Sequence, residues 1–302
     1  MTGDGTSGSG EGHPRTRRRR LTPQSLRERK GRDPPLALVT AYDYPTARLV
    51  EAAGMDAILV GDTLGEVVLG YSSTVSVTLE DILHHLRAVR RGAPRTLTIG
   101  DMPFLTFRLS ETDTLRNAGR LMQEGNAHAV KLEGGQSTAP TARRLVEAGI
   151  PVMGHVGLTP QSVHQLGGYR VQGKTPEAAR VLLDDALALE AAGCFSIVLE
   201  AIPVEVAAAI TARLAIPTIG IAAGPTCDGQ IQVQHDLLGL TRGRAKRHTE
   251  VYAPVADVIR DALAAYAADV RTKRFPTLEH SVAADDETVT SLAATEPSQR
   301  SP

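Results

Sequence analysis

From Leu36 onward the chain alternates short unbroken apolar runs with longer stretches whose apolar residues recur at helical spacing. The runs predict strands at 37–42, 57–62, 96–101, 129–134, 151–156, 195–200, 216–222 and 231–235. The periodic stretches predict helices at 44–53, 78–91, 111–124, 138–148, 176–192, 203–214 and 254–270. Strands apolar on both faces are covered on both faces, which means a parallel sheet wrapped by helices. Gly54, Gly92, Gly125, Gly149 and Gly193 each follow or end a helical stretch, where a left-handed C-cap is expected. Thr78 with Asp81 has capping-box spacing, and Thr175-Pro176 reads as an N-cap followed by a first-turn proline. An open doubly wound sheet would place a glycine-rich turn after its first strand, but Ala41-Tyr42-Asp43-Tyr44-Pro45 stands there. Eight strands without that turn predict an α/β fold of the (β/α)8 (TIM) barrel type.

Ionisable residues interrupt the apolar pattern at one recurring place. Asp62, Asp101, His155 and Glu200 stand at or near the C-terminal ends of apolar runs, and Lys131 and Glu133 lie two apart in the fourth strand. Charges at such positions are costly unless partners offset their desolvation, and in a barrel this rim carries the chemistry. Asp62, Asp101 and Glu133 come from adjacent strands, so they repel unless they take up protons or share a cation. An all-oxygen set favours a hard ion, Mg²⁺ first. Lys131 reads either as a cation for a substrate carboxylate or enolate or as a salt-bridge partner of Glu133. Glu200, further round the barrel, suits a general base. His155 reads as acid, base, substrate partner or structural residue. Unaided, these residues describe an oxo-acid deprotonated beside its carbonyl and leave the electrophile open. Gly220 to Gly224 reads either as a phosphate cradle or as a close backbone approach to a ligand. The loops Thr63 to Val77 and Gly157 to Lys174 are long enough to carry binding work.

Composition narrows the partners. The chain has 302 residues, 42% hydrophobic and 22% charged, with a formal charge of −1, which gives no overall nucleic-acid signal. Aromatics make up 3% with no Trp, against a stacking platform for single strands. No run reaches the length of a membrane span. Cys194 and Cys227 read as core thiols in a reducing, cytoplasmic compartment. Residues 1–21 form a basic tail expected to be disordered, with no apolar segment after Arg17 to Arg20 to make a secretory signal. Residues 22–276 form the barrel domain, and 277–302, with five acids and one arginine, read as a second disordered, acidic tail.

The segments Val-Thr-Ala-Tyr42-Asp-Tyr-Pro, Leu-Val-Gly-Asp62-Thr-Leu-Gly, Gly70-Tyr-Ser-Ser-Thr74 and Ala88-Val-Arg-Arg-Gly-Ala resemble the ketopantoate hydroxymethyltransferase family. So do Asp101-Met-Pro-Phe, Val-Lys131-Leu-Glu133-Gly-Gly, Gly-His155-Val-Gly-Leu-Thr-Pro-Gln161-Ser and Gly167-Gly-Tyr-Arg-Val-Gln-Gly173. Leu-Glu200-Ala-Ile-Pro, Gly220-Ile-Ala-Ala-Gly224 and Cys227-Asp-Gly-Gln complete a match in register from about 22 to 280. The resemblance implies a barrel that moves a hydroxymethyl group from 5,10-methylenetetrahydrofolate to 3-methyl-2-oxobutanoate, giving 2-dehydropantoate for pantothenate synthesis. It implies Asp62 and Asp101 as Mg²⁺ ligands, with Glu133 in the metal site directly or through water. It further implies Asp62, Thr63, Asp101 and Lys131 as substrate contacts, Glu200 as the base, and a homo-oligomer, typically a decamer. His155 joins the expected substrate contacts from its own place on the rim.

Three residues depart from the resembled pattern: Thr63 where Ser is usual, Glu66 where an apolar residue is usual, and Ala222 for the middle glycine. The other enzyme class with this chemistry is a Mg²⁺-dependent lyase or mutase barrel, whose lyases carry a Lys-Lys-Cys-Gly-His loop that the chain lacks. A non-catalytic barrel would be expected to have lost a rim charge, and none is lost.

Overall fold

A computed structural model describes residues 20–241 and 248–293. The expectations for 1–19 and 294–302 lie outside the described residues. Eight parallel strands close into one barrel in sequence order. They are β1 Leu36–Thr40, β2 Ala57–Val60, β3 Leu97–Asp101, β4 Ala129–Glu133, β5 Val152–Gly157, β6 Ser196–Glu200, β7 Thr218–Ile221 and β8 Gly229–Gln232. Helices Tyr44–Ala53, Leu79–Gly92, Glu111–Gln123, Ala139–Glu147, Pro176–Ala191 and Val204–Arg213 follow the first six strands. Strand β8 begins and ends earlier than its apolar run suggested: Gly229 pairs with Leu36, and Gln234 already starts a short helix.

Strand alternation sorts side chains into two layers. Outward residues such as Ile58, Val60, Val130, Leu132, Ile197 and Leu199 pack against the helices. Inward residues Leu36, Leu38, Leu59, Leu97, Ile99, Ala129, Met153, Val198, Ile219 and Ile231 fill the interior together with Leu26. Leu26 belongs to the short helix Pro23–Arg27, started by a capping box at Thr22.

The predicted caps at Thr78 and Thr175 are present. Gly54, Gly149 and Gly193 are left-handed as expected. Gly92 and Gly125 are not, and a different constraint explains them. A Cβ on Gly92 would lie 2.4 Å from the Tyr44 carbonyl oxygen, and one on Gly125 would lie 2.3 Å from Leu86 Cδ2. Asn126, with φ 56°, makes the left-handed turn beside Gly125.

The described residues form two compact units. The barrel unit runs to Leu237 and includes Thr241–Glu250; the other comprises Leu238–Leu240 and the residues from Val251 onward. In the second unit, helix Val255–Arg271 buries no residue and exposes Val258, Ile259, Leu263, Tyr266 and Val270. The segment read as a structureless tail from 277 contains a turn of 3-10 helix, Leu278–His280, and a helix, Asp286–Ala293.

Candidate active site

The charged rim residues continue the inward rows of the barrel. Ile99 is followed two positions on by Asp101, Ala129 by Lys131, Met153 by His155, and Val198 by Glu200. Pairing brings Asp101 beside Lys131 and Glu133 beside His155. All of them, with Asp62 and Thr63 just beyond β2, line one cavity of about 350 Å³. The structure thus gathers every site residue expected from the sequence.

Buried at its floor, Lys131 Nζ lies 2.9 Å from Asp101 Oδ1 and 3.5 Å from Glu133 Oε1. Burial opposes its charge, but Asp101, Glu133 and Asp62 raise its pKa, so Lys131 stays a cation. Glu133 is held below the usual carboxylate range because Lys131 and His155 overcome the cost of burial. Both salt-bridge and substrate-cation readings of Lys131 are therefore compatible with its position. His155 is opposed by burial and by Lys131, yet the carboxylates of Glu133 and Glu200 push it up to about 9. Its Nε2 lies 3.2 Å from Glu200 Oε2, and its Nδ1 lies 3.5 Å from Glu133 Oε1. Glu200 keeps 21% of its side chain exposed to the cavity mouth, whereas Asp101, Lys131 and Glu133 are sealed.

Asp62 and Asp101 stand in a different state. Burial first, then Asp101 and Glu133, raise Asp62 well above the carboxylate range. Burial also raises Asp101, against the pull of Lys131. Asp101 Oδ2 accepts from the Asp62 amide at 3.1 Å, while Oδ1, although close to Lys131, has no directed hydrogen bond. Among the described residues no three His, Cys, Asp or Glu side chains make a ready metal cage. Glu133 explains why: Oε2 accepts from the Gln161 amide at 3.1 Å and Oε1 faces Lys131 and His155. The buried carboxylate oxygen without a directed hydrogen bond is Asp101 Oδ1, next to an Asp62 carboxyl raised by burial and repulsion. Such a pair fits a hard divalent ion held by one or two carboxylates and completed by water or substrate.

Glycines set the backbone around these groups. A Cβ on Gly157 would come within 2.2 Å of the Glu200 carbonyl oxygen, so only glycine lets β5 pass beside the base. Gly220 and Gly224 are explained by the packing of Cys227, Gln230 and Val204 around them, and neither lines the cavity. The cradle and ligand-approach readings of that turn thus lack support. Cys194 is buried, with burial pushing its thiol up to about 12, as a core cysteine would be.

Three residues of the site carried no expected role. Gln161 donates through Nε2 to Asp62 Oδ2 at 2.8 Å and to the Met102 carbonyl at 3.0 Å, tying the carboxylates together. Tyr42 donates to Thr63 Oγ1 at 3.2 Å. Tyr169 donates to Glu66 Oε1 at 2.7 Å across the cavity mouth. Only their presence in the quoted motifs, or the unusual charge at Glu66, marked them in the sequence.

A profile of the ketopantoate hydroxymethyltransferase family matches residues 20–278 of the chain. The chain belongs to this family. The 3-methyl-2-oxobutanoate hydroxymethyltransferase of Dehalococcoides mccartyi (strain ATCC BAA-2266 / KCTC 15142 / 195) is 55% identical over 273 residues, covering 90% of this chain and 97% of that one. The enzyme of that name from Roseiflexus sp. (strain RS-1) is 56% identical over 267 residues, covering 88% and 96%. As a member of the ketopantoate hydroxymethyltransferase family, the chain is a transferase. Its closed eight-stranded barrel is similar in fold to those of solved enzymes. A phosphoenolpyruvate phosphomutase from Streptomyces platensis subsp. rosaceus superposes with a TM-score of 0.56 at 14% identity, covering 90% and 95%. A phosphonopyruvate hydrolase solved with oxalate and Mg++ superposes at 0.52 and 15% identity, covering 90% and 95%. At such identities the likeness speaks for the fold alone.

Proposed function

We propose that this transferase moves a hydroxymethyl group from 5,10-methylenetetrahydrofolate to 3-methyl-2-oxobutanoate, forming 2-dehydropantoate on the route to pantothenate, and that it requires Mg²⁺. The family supports the reaction, and one observation supports the chemistry. Two buried, mutually repelling carboxylates, Asp62 and Asp101, the latter with no hydrogen bond directed at its Oδ1, share one cavity with Lys131 and with a partly exposed carboxylate, Glu200.

Asp62 and Asp101 would hold the ion, with Glu133 behind them and linked through water. Bound there, Mg²⁺ supplies a positive charge that draws electron density from the oxo-acid and makes its C3 proton more acidic. Lys131 places a second fixed cation for the substrate's carboxylate, and Thr63 offers a hydroxyl at the same end. Glu200 takes the C3 proton, while His155 at 3.2 Å orients its carboxylate. The one-carbon unit forms two bonds, to the carbon so freed and to a water oxygen, as its bonds to the two folate nitrogens break. The C3 proton and one water proton end on those nitrogens. The apolar floor of Leu59, Val198, Ile221 and Ile231 suits the branched hydrocarbon end of the oxo-acid.

We also assign the chain to the cytoplasm, consistent with two free cysteines and no helix, among the described residues, long and apolar enough to cross a membrane. A homo-oligomer, with the decamer expected, is supported by the exposed apolar row of helix Val255–Arg271, which sedimentation velocity tests directly.

Methylenetetrahydrofolate consumption with the oxo-acid should stop on chelation and return with Mg²⁺. Asp62→Ala and Asp101→Ala should each abolish Mg²⁺-dependent oxo-acid binding in calorimetry while keeping the circular dichroism of the fold. Turnover indifferent to chelation, or unchanged binding in both variants, would overturn the ion's part.

A further inference from the structure

Two long rim loops meet over the cavity. Glu66 sits in the short helix Leu64–Val67 after β2, and Tyr169 lies in the loop after β5. The two residues are 103 positions apart, yet the Tyr169 hydroxyl donates to Glu66 Oε1 at 2.7 Å. Both line the same cavity as Asp62, Lys131 and Glu200. Among the described residues that line it, Tyr169 is the only Phe, Tyr or Trp, and it remains 52% exposed.

The loop carrying Tyr169 gives the ring little support of its own. Gly167 and Gly168 have φ of 69° and 111°, and a Cβ on either would meet nothing within 4 Å. These glycines serve the backbone path rather than packing. The loop is tied back by Gly168 to the Val163 carbonyl and by Gln172 to the Ala201 carbonyl, and the Glu66 hydrogen bond fixes the ring between those ties. The phenol stays a donor, because burial, Glu66, Asp62 and Glu200 all raise its pKa.

We propose that Glu66 is a positioning residue for the second substrate: through its hydrogen bond it holds the Tyr169 ring at the cavity mouth as a platform for the flat ring system of the one-carbon donor. This rests on the folate reading above. The small oxo-acid has its polar partners at the cavity floor, so the much larger donor must approach from the mouth, past this ring. Aromatic faces stack favourably on such heterocycles. Fixing the ring before the donor arrives reduces the ordering cost of binding.

The test separates two half-reactions of the full-length enzyme. Deuterium exchange at C3 of 3-methyl-2-oxobutanoate without folate reports the oxo-acid half; donor KM and kcat report the other. Glu66→Ala and Tyr169→Phe should each raise donor KM about 3- to 10-fold, the usual worth of one such hydrogen bond, with exchange and kcat nearly unchanged. The double variant should be no worse than either single one, because both remove the same bond. Glu66→Gln, whose amide oxygen still accepts from the phenol, should restore most of the loss. Tyr169→Ala, which removes the platform itself, should exceed all of them. Unchanged donor KM in Glu66→Ala, Tyr169→Phe and Tyr169→Ala would overturn the proposal, and so would a parallel fall in exchange. Wild-type enzyme that exchanges but does not use methylenetetrahydrofolate would instead overturn the donor reading, and this inference with it.

Discussion

Two layers inside the barrel, one residue pair apart on the same strands, differ completely in chemistry. Below lie Ile99, Ala129 and Met153, packed with Leu26 into an apolar plug, with Val198 at its top forming part of the cavity floor. Above lie Asp101, Lys131, His155 and Glu200, facing one cavity. The side-chain direction is the same in both, so the backbone does not distinguish them. The lower layer supplies the hydrophobic stabilisation and closes the barrel to water from beneath. The upper layer spends part of that stability on charges held close together in a poorly solvated place, where each acts strongly on a substrate. Substitutions in the upper layer should therefore change chemistry more than folding, and those in the lower layer the reverse.

The largest expected effect tests the upper layer. Glu200→Gln keeps the shape of the side chain but removes its capacity to take a proton. Exchange at C3 should fall by roughly 10²- to 10⁴-fold, the usual worth of a positioned base, and transfer should fall with it, while calorimetry shows oxo-acid and Mg²⁺ still binding. Exchange at the wild-type rate with transfer lost would move Glu200 to the folate side and make His155 the better base.

Next is the plug. Ile99→Ala, fully buried directly below Asp101, should cost about 2–5 kcal/mol through lost burial and the cavity left behind. Urea unfolding reads the loss, and the folded fraction should keep its KM for the oxo-acid. A large rise in KM without loss of stability would mean that the plug shapes the site and that the two layers are not separable.

These contrasts also show what was legible in the sequence. The strands announced themselves because the outward and inward rows are both apolar, and the rim charges because each interrupts such a run at its end. Helix limits such as Tyr44–Ala53 and Leu79–Gly92 followed from local caps and period. What was not legible depends on contacts between distant segments. Gln161 lies in a loop without period, and only the closed barrel brings it to Asp62, 99 positions away. The Glu66–Tyr169 pair is hidden for the same reason. Gly92 and Gly125 looked like caps, yet their lack of a side chain serves helix packing, which no local rule encodes.

A smaller effect sharpens the comparison by reversing its sign. Asp62 is buried beside Asp101 and Glu133, and their repulsion works against the metal-free fold. Asp62→Asn removes one of the charges and can still accept from Gln161. In chelator the variant should be more stable by about 1–2 kcal/mol, as expected when a functional charge is relieved. Mg²⁺-dependent oxo-acid binding should disappear at the same time. A lower melting temperature than wild type in chelator would show that Asp62 is stabilised by its surroundings and refute the conflict between its two roles.

The smallest effect concerns backbone rather than charge, at two alanines just beyond neighbouring strands. Ala201 follows Glu200 with φ 48°, and Ala222 follows Ile221 with φ 53°. An L-residue in this region costs about 1–2 kcal/mol relative to ordinary backbone, and glycine avoids most of that cost. Glycine also gives the unfolded chain more freedom, which returns about 0.4–1 kcal/mol of it. Ala222→Gly should therefore gain only about 0.5 kcal/mol, read as a small rise in the urea midpoint at unchanged slope, with kcat unaltered. Ala201→Gly should gain a similar amount but lose rate, because the residue it loosens carries the base. If both variants keep full activity, left-handed backbone at Ala201 serves only the path of the chain. If Ala201→Gly alone loses rate, the strain beside Glu200 belongs to the upper layer's function, and that beside Ile221 does not.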